Sequence, residues 1–182
     1  MNSDNDGTVG GFVFVDESKA HDYLLIAAVV RPAQLAAARK AIRRLVLPGQ
    51  RRIHMYKESD ARRRQLLSVI GQLGIDVTIY RASRAYPAEV IRRDRCIAAL
   101  VADATRARHI ELIFELDASI YRRDQAQIND AMRLNNCVDR LAYRHSQAST
   151  EPLLIIPDAI GWAWAKGGDW RCRCGTVKIV DV

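Results

Sequence analysis

The chain has 182 residues, 49% of them hydrophobic and 27% charged, which is enough for one domain with a complete core. Every apolar run is shorter than the roughly 18 residues that a membrane-spanning helix needs, so we expect no membrane association. The first seven residues are polar and acidic, unlike a secretory signal, and this favours a cytoplasmic location. The net charge of +7 favours an acidic partner.

The positive charge is concentrated in one segment. Between Arg31 and Arg64 there are eleven Lys or Arg residues and only two acids, a local charge of +9 that exceeds that of the whole chain. A local basic surface suits a polyanion, and we predict nucleic acid, RNA or DNA, although a solvated helix face without a ligand is the simpler alternative. The predicted contacts are Arg43, Arg44, Arg51, Arg52, Lys57, Arg62 and Arg63.

The N-terminal half reads as a hairpin followed by two helices and a strand. The link between the first two strands is short, which favours antiparallel pairing, and Pro32 ends the second strand. The two helices make a helical insertion over residues 32–73. The predicted elements are strands over 11–16 and 22–31, helices over 33–46 and 59–73, and a strand over 75–82.

The C-terminal half alternates helices with strands. The predicted elements are a helix over 87–106, a buried strand over 110–116, a helix over 125–145, a core strand over 152–156, a short helix from Pro157, and an edge strand over 176–182. A hairpin followed by such alternation predicts an α/β fold with a mixed sheet and helices on its faces. We expect one domain over 1–182, with a flexible tail at 1–9.

Three apolar runs end in acids, at Asp16, Glu115 and Asp158. Because strand ends of one sheet can converge, we predict that these carboxylates form an oxygen-rich site for Mg²⁺ or Mn²⁺. Asp16 is the expected bridging ligand, and Asp117 is a reserve ligand. Glu17 points away from Asp16 in a regular strand, so it joins the site only if the strand has already ended. Asp124 is a further candidate from the loop after the buried strand.

Each candidate also has a structural explanation. Residues 16–18 suit a hairpin turn, Asp158 suits the first turn of a helix, and Glu115 suits a buried ion pair with an arginine. His54 and His145 are candidates for proton transfer, or else surface histidines. The tryptophans, which could stack on bases or pack in the core, are Trp162, Trp164 and Trp170.

Two motifs and the order of elements resemble the ribonuclease H-like superfamily. The first motif is FVDES at residues 14–18, and the second is EPLLIIPDAIGW at residues 151–162. They are similar to the opening and the close of an uncharacterised bacterial family within that superfamily. GGDWR at residues 167–171 resembles the ending of one short subgroup. The resemblance covers nearly the whole chain.

The resemblance implies a three-layer fold and a metal-dependent nuclease acting on nucleic acid. The superfamily places acids on the central first strand, on the fourth strand and on the helix after the fifth, positions that correspond to Asp16, Glu115 and Asp158; Glu17 joins them as a candidate catalytic residue. This chain departs from the family before Ile53, where Arg51 and Arg52 stand in place of a frequent acid. The superfamily's helical acid has no clear match, with Glu89 and Asp94 as candidates.

That departure leaves two other interpretations open. One is a catalytically inactive module that binds nucleic acid or a protein partner. The other is an assembly subunit, including a homo-oligomer, in which the Trp-rich C-terminal segment packs on another copy or on a partner.

Overall fold

The structure is a computed structural model that describes residues 10–182, so the predicted tail at 1–9 lies outside the described residues. The strands are β1 (Phe12–Ser18), β2 (Tyr23–Val30), β3 (Asp76–Ala82), β4 (Glu111–Glu115), β5 (Ala142–Ser146) and β6 (Val177–Asp181). The helices are α1 (Pro32–Arg43), α2 (Asp60–Gln72), α3 (Glu89–Arg106), α4 (Tyr121–Leu134), α5 (Ile155–Lys166) and α6 (Gly168–Cys172). Two short 3₁₀ helices span Met55–Lys57 and Pro152–Leu154.

The six strands form one mixed sheet in the order β5-β4-β1-β2-β3-β6. The pairs β1–β2 and β2–β3 are antiparallel, whereas β1–β4, β4–β5 and β3–β6 are parallel. The predicted hairpin, the mixed sheet and the C-terminal edge strand are therefore confirmed. The strand β1 lies inside the sheet, between β4, to which it is parallel, and β2, to which it is antiparallel.

Helices cover both faces of the sheet, which makes three layers. Along β1, Phe14 points to a core shared with α1, α2 and α5, while Val13 and Val15 point to a second core shared with α3 and α4. This alternation follows from the two-residue period of a strand. No helix within residues 10–182 combines the length and apolar character needed to cross a bilayer.

The helix predicted over 125–145 is wrong in its second half. The helix α4 ends at Leu134, and Asn136 takes a left-handed conformation with φ of 50°. Asn tolerates this conformation better than most residues and therefore suits a helix end. The chain then forms β5, which pairs parallel with β4. The strand β5 is polar and lies at an edge, so its sequence lacks the apolar pattern of a core strand.

The core strand predicted over 152–156 is also wrong. These residues form a 3₁₀ helix and the first residues of α5, with the side chain of Glu151 accepting a hydrogen bond from the Leu153 backbone N–H. A short continuous apolar run cannot distinguish a buried strand from a buried helix by periodicity alone. The apolar residues from Leu153 to Ile156 are buried as predicted, but in a helix.

A glycine lets α5 lie close to the sheet. A Cβ atom on Gly161 would lie 2.9 Å from Ile26 Cδ1 on β2 and 3.4 Å from Ser18 Cβ on β1. Asp158 precedes Gly161 by three residues, about one helical turn, so both lie on the same face of α5. The close approach at Gly161 therefore brings Asp158 to the C-terminal half of β1.

Candidate carboxylate site

Three elements bring Asp16, Glu115 and Asp158 to one cleft. The parallel register of β1 and β4 aligns Val15 with Phe114, so Asp16 and Glu115 follow at the same level of the sheet. Asp158 comes from the first turn of α5, which packs on β1. All three side chains line a cleft of about 430 Å³. Asp158 lies in the first turn of a helix, as predicted, but the apolar residues before it belong to helices and not to a strand.

The carboxyl group of Asp16 is in an unfavourable position for a negative charge. Burial raises its pKa well above the usual value, and the neighbouring carboxylates of Glu115 and Asp158 raise it further. The backbone N–H of Glu17 donates a hydrogen bond of 2.8 Å to Asp16 Oδ1, which opposes the shift only in part. In this setting a cation beside Asp16 would stabilise the ionised form.

Asp158 has partners from the segment between α1 and α2. The Met55 backbone N–H donates a 3.1 Å hydrogen bond to Asp158 Oδ2, and His54 Nδ1 lies 3.6 Å from the same oxygen. Burial raises the pKa of Asp158, the Met55 hydrogen bond and His54 oppose the shift, and Glu115 adds to it. Nδ1 of His54 is buried and has no hydrogen-bond partner among the described residues. A proton-transfer group at His54 would therefore sit inside the cleft.

Glu115 is held by an arginine. The Arg52 guanidinium donates to Glu115 Oε1, and the Arg52 side chain is 39% exposed. An ion pair between Glu115 and an arginine is therefore present, but it is partly exposed and not buried, and its cation comes from the basic segment. Arg52 directly precedes Ile53 and His54 and puts positive charge beside the carboxylates.

Glu17 and Asp117 line the same cleft but differ in their partners. Glu17 points to the opposite face of β1 from Asp16, as the strand period predicts, and accepts hydrogen bonds from Arg93 and Tyr23. Asp117 follows β4 and accepts hydrogen bonds from the Ser119 hydroxyl and backbone N–H, which lower its pKa.

The two candidates for a helical acid lie away from the cleft. Glu89 and Asp94 are on α3, which packs on the other face of the sheet. Glu89 pairs with Lys19 at 2.8 Å, and Asp94 pairs with Arg123 at 2.6 Å. Neither side chain lines the cleft, so the site has no acid from α3.

A buried ion network, which no sequence motif indicated, adjoins the cleft, and its members Glu17 and Arg93 also line the cleft. Arg93 on α3 bonds bidentately to Asp124 at 2.7 and 2.5 Å and also contacts Glu17 and the hydroxyl of Tyr23. Burial favours a raised pKa for Asp124, but hydrogen bonds from His145 and Arg93 outweigh it and lower the pKa. The signal for this network was an arginine on the apolar face of α3, which needs a carboxylate partner when buried.

His145 belongs to that network rather than to the cleft. It lies on β5, not on a helix as predicted, and its side chain is 3% exposed. Its Nε2 atom is 3.4 Å from Asp124 Oδ2, and its ring stacks on Phe114. His145 therefore lies on the sheet face opposite to Asp16, away from the position where a substrate in the cleft would need a proton.

The basic residues of the predicted interface differ in how freely they can meet a ligand. Arg62 bonds to Gln65 and to the Leu45 carbonyl, while Arg63 bonds to Asp60 and two backbone carbonyls. Among the predicted contact residues, those that are exposed and form no ion pair within residues 10–182 are Arg43, Arg44, Arg51 and Lys57. Arg52 is the member of the set that lies beside the carboxylates.

The tryptophans pack partly against the core, and each is faced by an arginine. Arg63 lies 4.5 Å above the Trp162 ring, Arg64 lies 5.4 Å above Trp170, and Arg171 lies 4.6 Å above Trp164. Trp162 and Trp170 also contact each other edge to face. The rings therefore help to hold α2, α5 and α6 together, and their faces are already partly covered.

The carboxylate oxygens of the cleft are suitable ligands for a hard divalent cation, but their spacing in the structure does not form a complete site. All the carboxylates of the cleft offer oxygen, which Mg²⁺ and Mn²⁺ prefer. As the side chains stand in residues 10–182, no three His, Cys, Asp or Glu residues are grouped closely enough to hold an ion. An ion at Asp16 would require Glu115 to turn from Arg52 toward it.

Comparison of the chain with protein-family models, with curated proteins and with solved structures finds no match in any of the three.

Proposed function

We propose that the chain is a divalent-metal-dependent phosphodiesterase acting on nucleic acid, that is, a nuclease. The observation that carries this proposal is the meeting of Asp16, Glu115 and Asp158, from two parallel strands and a helix, in one cleft beside Arg52. Carboxylates can hold a divalent cation, and an arginine can bind a phosphate group. Together they suit a phosphodiester substrate that binds with a metal ion.

A ribonuclease H-like fold is part of the proposal. It is supported by the position of β1 inside the sheet, by the antiparallel pairs β1–β2 and β2–β3 on one side of it, and by the parallel strands β4 and β5 on the other. It is also supported by acids on the first strand, the fourth strand and the helix after the fifth strand, where the superfamily has them. Here the fifth strand is β5, not the run at 152–156.

In this proposal Asp16 is the shared ligand of Mg²⁺ or Mn²⁺, with Asp158 and Glu115 beside it and Asp117 in reserve. When bound, the cation would acidify a water molecule and offset charge on the leaving oxygen. Arg52 would then contact a phosphate oxygen after releasing Glu115. His54, next to Asp158, would give or take a proton.

The test measures cleavage and metal binding together. Wild-type protein is incubated with RNA, DNA and RNA–DNA hybrid, each with Mg²⁺, with Mn²⁺ or with EDTA, and Mn²⁺ uptake is followed by calorimetry. We expect metal-dependent cleavage of at least one substrate, and we expect Asp16→Asn to lose about 100-fold or more, since even outer partners of a metal site typically contribute 10–100-fold.

The matched control is Asp60→Asn, which removes an exposed carboxylate from the helical insertion outside the cleft. It should leave cleavage and Mn²⁺ uptake unchanged. Cleavage by wild type that equals cleavage by Asp16→Asn, or that persists in EDTA, would refute the proposed activity.

The inactive binding module remains the second candidate. The ion pair between Arg52 and Glu115 and the absence of a ready three-residue metal group within residues 10–182 favour it. In that case the protein would bind oligonucleotides equally well with and without Mn²⁺, and Asp16→Asn would change neither binding nor Mn²⁺ uptake. Mn²⁺ uptake that depends on Asp16 would exclude it.

A further inference from the structure

A second concave surface adjoins the carboxylate cleft. It is a groove of about 290 Å³ between the end of α1, the loop after it and the segment before α5. Its half-buried apolar lining is Val46, Ala148 and Pro152, next to the buried Ile42 and Ile53, and Arg43 and Arg51 also line it. Arg52 lines both the groove and the cleft, so the two are neighbours.

The groove offers positive charge that the described part of the chain does not neutralise. Arg43 and Arg51 are exposed, and neither forms an ion pair with a carboxylate of residues 10–182. By contrast, Arg39 on the same helix is engaged by Glu151 at 2.6 Å. Two free guanidinium groups beside an apolar surface therefore match a ligand with both an anionic part and an apolar face.

We infer that this groove binds an unpaired nucleotide of a nucleic-acid strand, with its base on the apolar surface and its phosphates at Arg43 and Arg51. This deepens the proposed function and rests on it for the orientation of the strand, which would run from the groove past Arg52 to Asp16. An unpaired base is required because a base within a duplex is stacked and cannot lay its face on the protein.

The experiment measures binding in EDTA, where metal-dependent cleavage cannot occur. Three fluorescent probes are compared: a short single-stranded oligo-dT, an abasic oligomer with the same number of phosphates, and a DNA duplex of the same length. Wild type should bind oligo-dT about fourfold or more tightly than the abasic oligomer, the equivalent of burying one methylene or more. It should bind the duplex more weakly than oligo-dT.

A double substitution tests the arginines. Arg43→Gln with Arg51→Gln should weaken oligo-dT binding roughly tenfold and lower its salt slope by about 1.4, since each single-strand phosphate contact contributes about 0.7. The charge-matched control is Arg31→Gln with Lys40→Gln, two exposed residues of the same region that neither line the groove nor belong to the predicted nucleic-acid contacts. Thermal unfolding checks that both variants are folded.

The inference is overturned if oligo-dT and the abasic oligomer bind equally, if the duplex binds best, or if both double variants lose the same affinity. None of these outcomes depends on cleavage. A protein that shows base-dependent binding in the groove but no metal-dependent cleavage would retain this site and lose the proposed activity, whereas cleavage without groove dependence would do the reverse.

Discussion

At the scale of single residues, the cleft places carboxylates where negative charge is unfavourable. Asp16 illustrates this, because burial comes first among the causes of its raised pKa and the carboxylates of Glu115 and Asp158 follow. A residue chosen only for stability would be neutral at this position. A buried and repelled carboxylate is therefore a sign of a site that gains something from the charge, such as a cation.

Replacing Asp16 should reveal this cost as a dependence of stability on pH. Because the pKa of Asp16 is raised in the folded state, its ionisation lowers the free energy of unfolding. The fold is most stable, with respect to Asp16, below the unfolded-state pKa near 4, and this stability is lost as pH rises through the folded-state pKa. In EDTA, Asp16→Asn should therefore unfold at a higher temperature than wild type at pH 8, and the difference should shrink toward pH 4. Mn²⁺ should raise the unfolding temperature of wild type only.

The opposite sign is expected at Asp117, whose pKa is lowered by hydrogen bonds from Ser119. Asp117→Asn should not raise the unfolding temperature at pH 8. If Asp16→Asn is less stable than wild type at pH 8 in EDTA, then Asp16 is stabilised as a carboxylate without metal and the electrostatic argument is wrong.

Arg52 should compete with a metal ion for Glu115. An exposed ion pair is worth about 0.2–1 kcal/mol, so its removal should tighten Mn²⁺ binding by up to about fivefold. We expect Arg52→Gln to show this in calorimetry while changing the free energy of unfolding by less than about 1 kcal/mol. Arg44→Gln, which removes the same charge from outside the cleft, should leave Mn²⁺ binding unchanged. Weaker Mn²⁺ binding in Arg52→Gln would show that Arg52 supports the metal site instead.

At the scale of elements, most strands of the sheet can be predicted from the sequence, but the position of the fifth strand cannot. The strands β1 to β4 and β6 were predictable because each has an apolar or alternating pattern bounded by turn residues. The polar edge strand β5 was not, and the apolar run at 152–156 was mistaken for a strand. Asp158 is nevertheless a member of the predicted site, because it ends this apolar run and lies in the first turn of the helix predicted from Pro157.

The side-chain partners were less predictable than the elements. That Arg52 contacts Glu115, and that Arg93 contacts Asp124, depends on how the helices pack across the sheet, and these pairs are separated by 63 and 31 positions in the chain. A single sequence records no such distances. The sequence does show that Glu115 ends an apolar strand, and this position predicts a salt bridge to an arginine as one alternative.

The close packing of α5 on the sheet should make Gly161 sensitive to substitution. A Cβ at Gly161 would meet the buried Ile26 side chain at 2.9 Å, and overpacking of this kind costs about 1–3 kcal/mol. Part of this is offset by the higher helix propensity of Ala, about 1 kcal/mol. We expect Gly161→Ala to destabilise the fold by up to about 2 kcal/mol in urea unfolding and to weaken any Mn²⁺ binding, because α5 carries Asp158.

Gly71 on α2 provides the control, since nothing lies within 4 Å of the Cβ position there. Gly71→Ala should be neutral or stabilising by up to about 1 kcal/mol. If Gly161→Ala is equally stabilising, α5 does not need a glycine to reach the sheet.

At the scale of the whole molecule, the two faces of the sheet differ in the charged groups that they carry. The face covered by α1, α2 and α5 carries the basic segment, and this segment supplies Arg52, His54 and Met55 to the carboxylate cleft. The rest of the chain is near neutral in charge, because the segment from Arg31 to Arg64 carries more than the net charge. The field that attracts a polyanion is therefore centred on the face where the cleft and the groove open.

The opposite face is held by the buried network around Arg93, which joins α3, α4, β1, β2 and β5. Removing one partner of a buried ion pair leaves an uncompensated charge and costs about 3–5 kcal/mol. Arg93→Met should therefore destabilise the fold by about that amount, because it leaves Asp124 and Glu17 without their guanidinium. Arg106→Met, which breaks a pair whose arginine is 77% exposed, should cost at most about 1 kcal/mol.

The loss in Arg93→Met should also depend on pH, which separates lost charge pairing from lost packing. Hydrogen bonds from His145 and Arg93 outweigh burial and lower the folded-state pKa of Asp124, so this carboxylate contributes stability above about pH 4 that is lost as pH falls through its folded value. The difference between wild type and variant in urea unfolding should therefore be large at pH 7 and smaller near pH 4. A difference that stays constant with pH would mean that Arg93 acts through the packing of its side chain and not through its ion pair with Asp124.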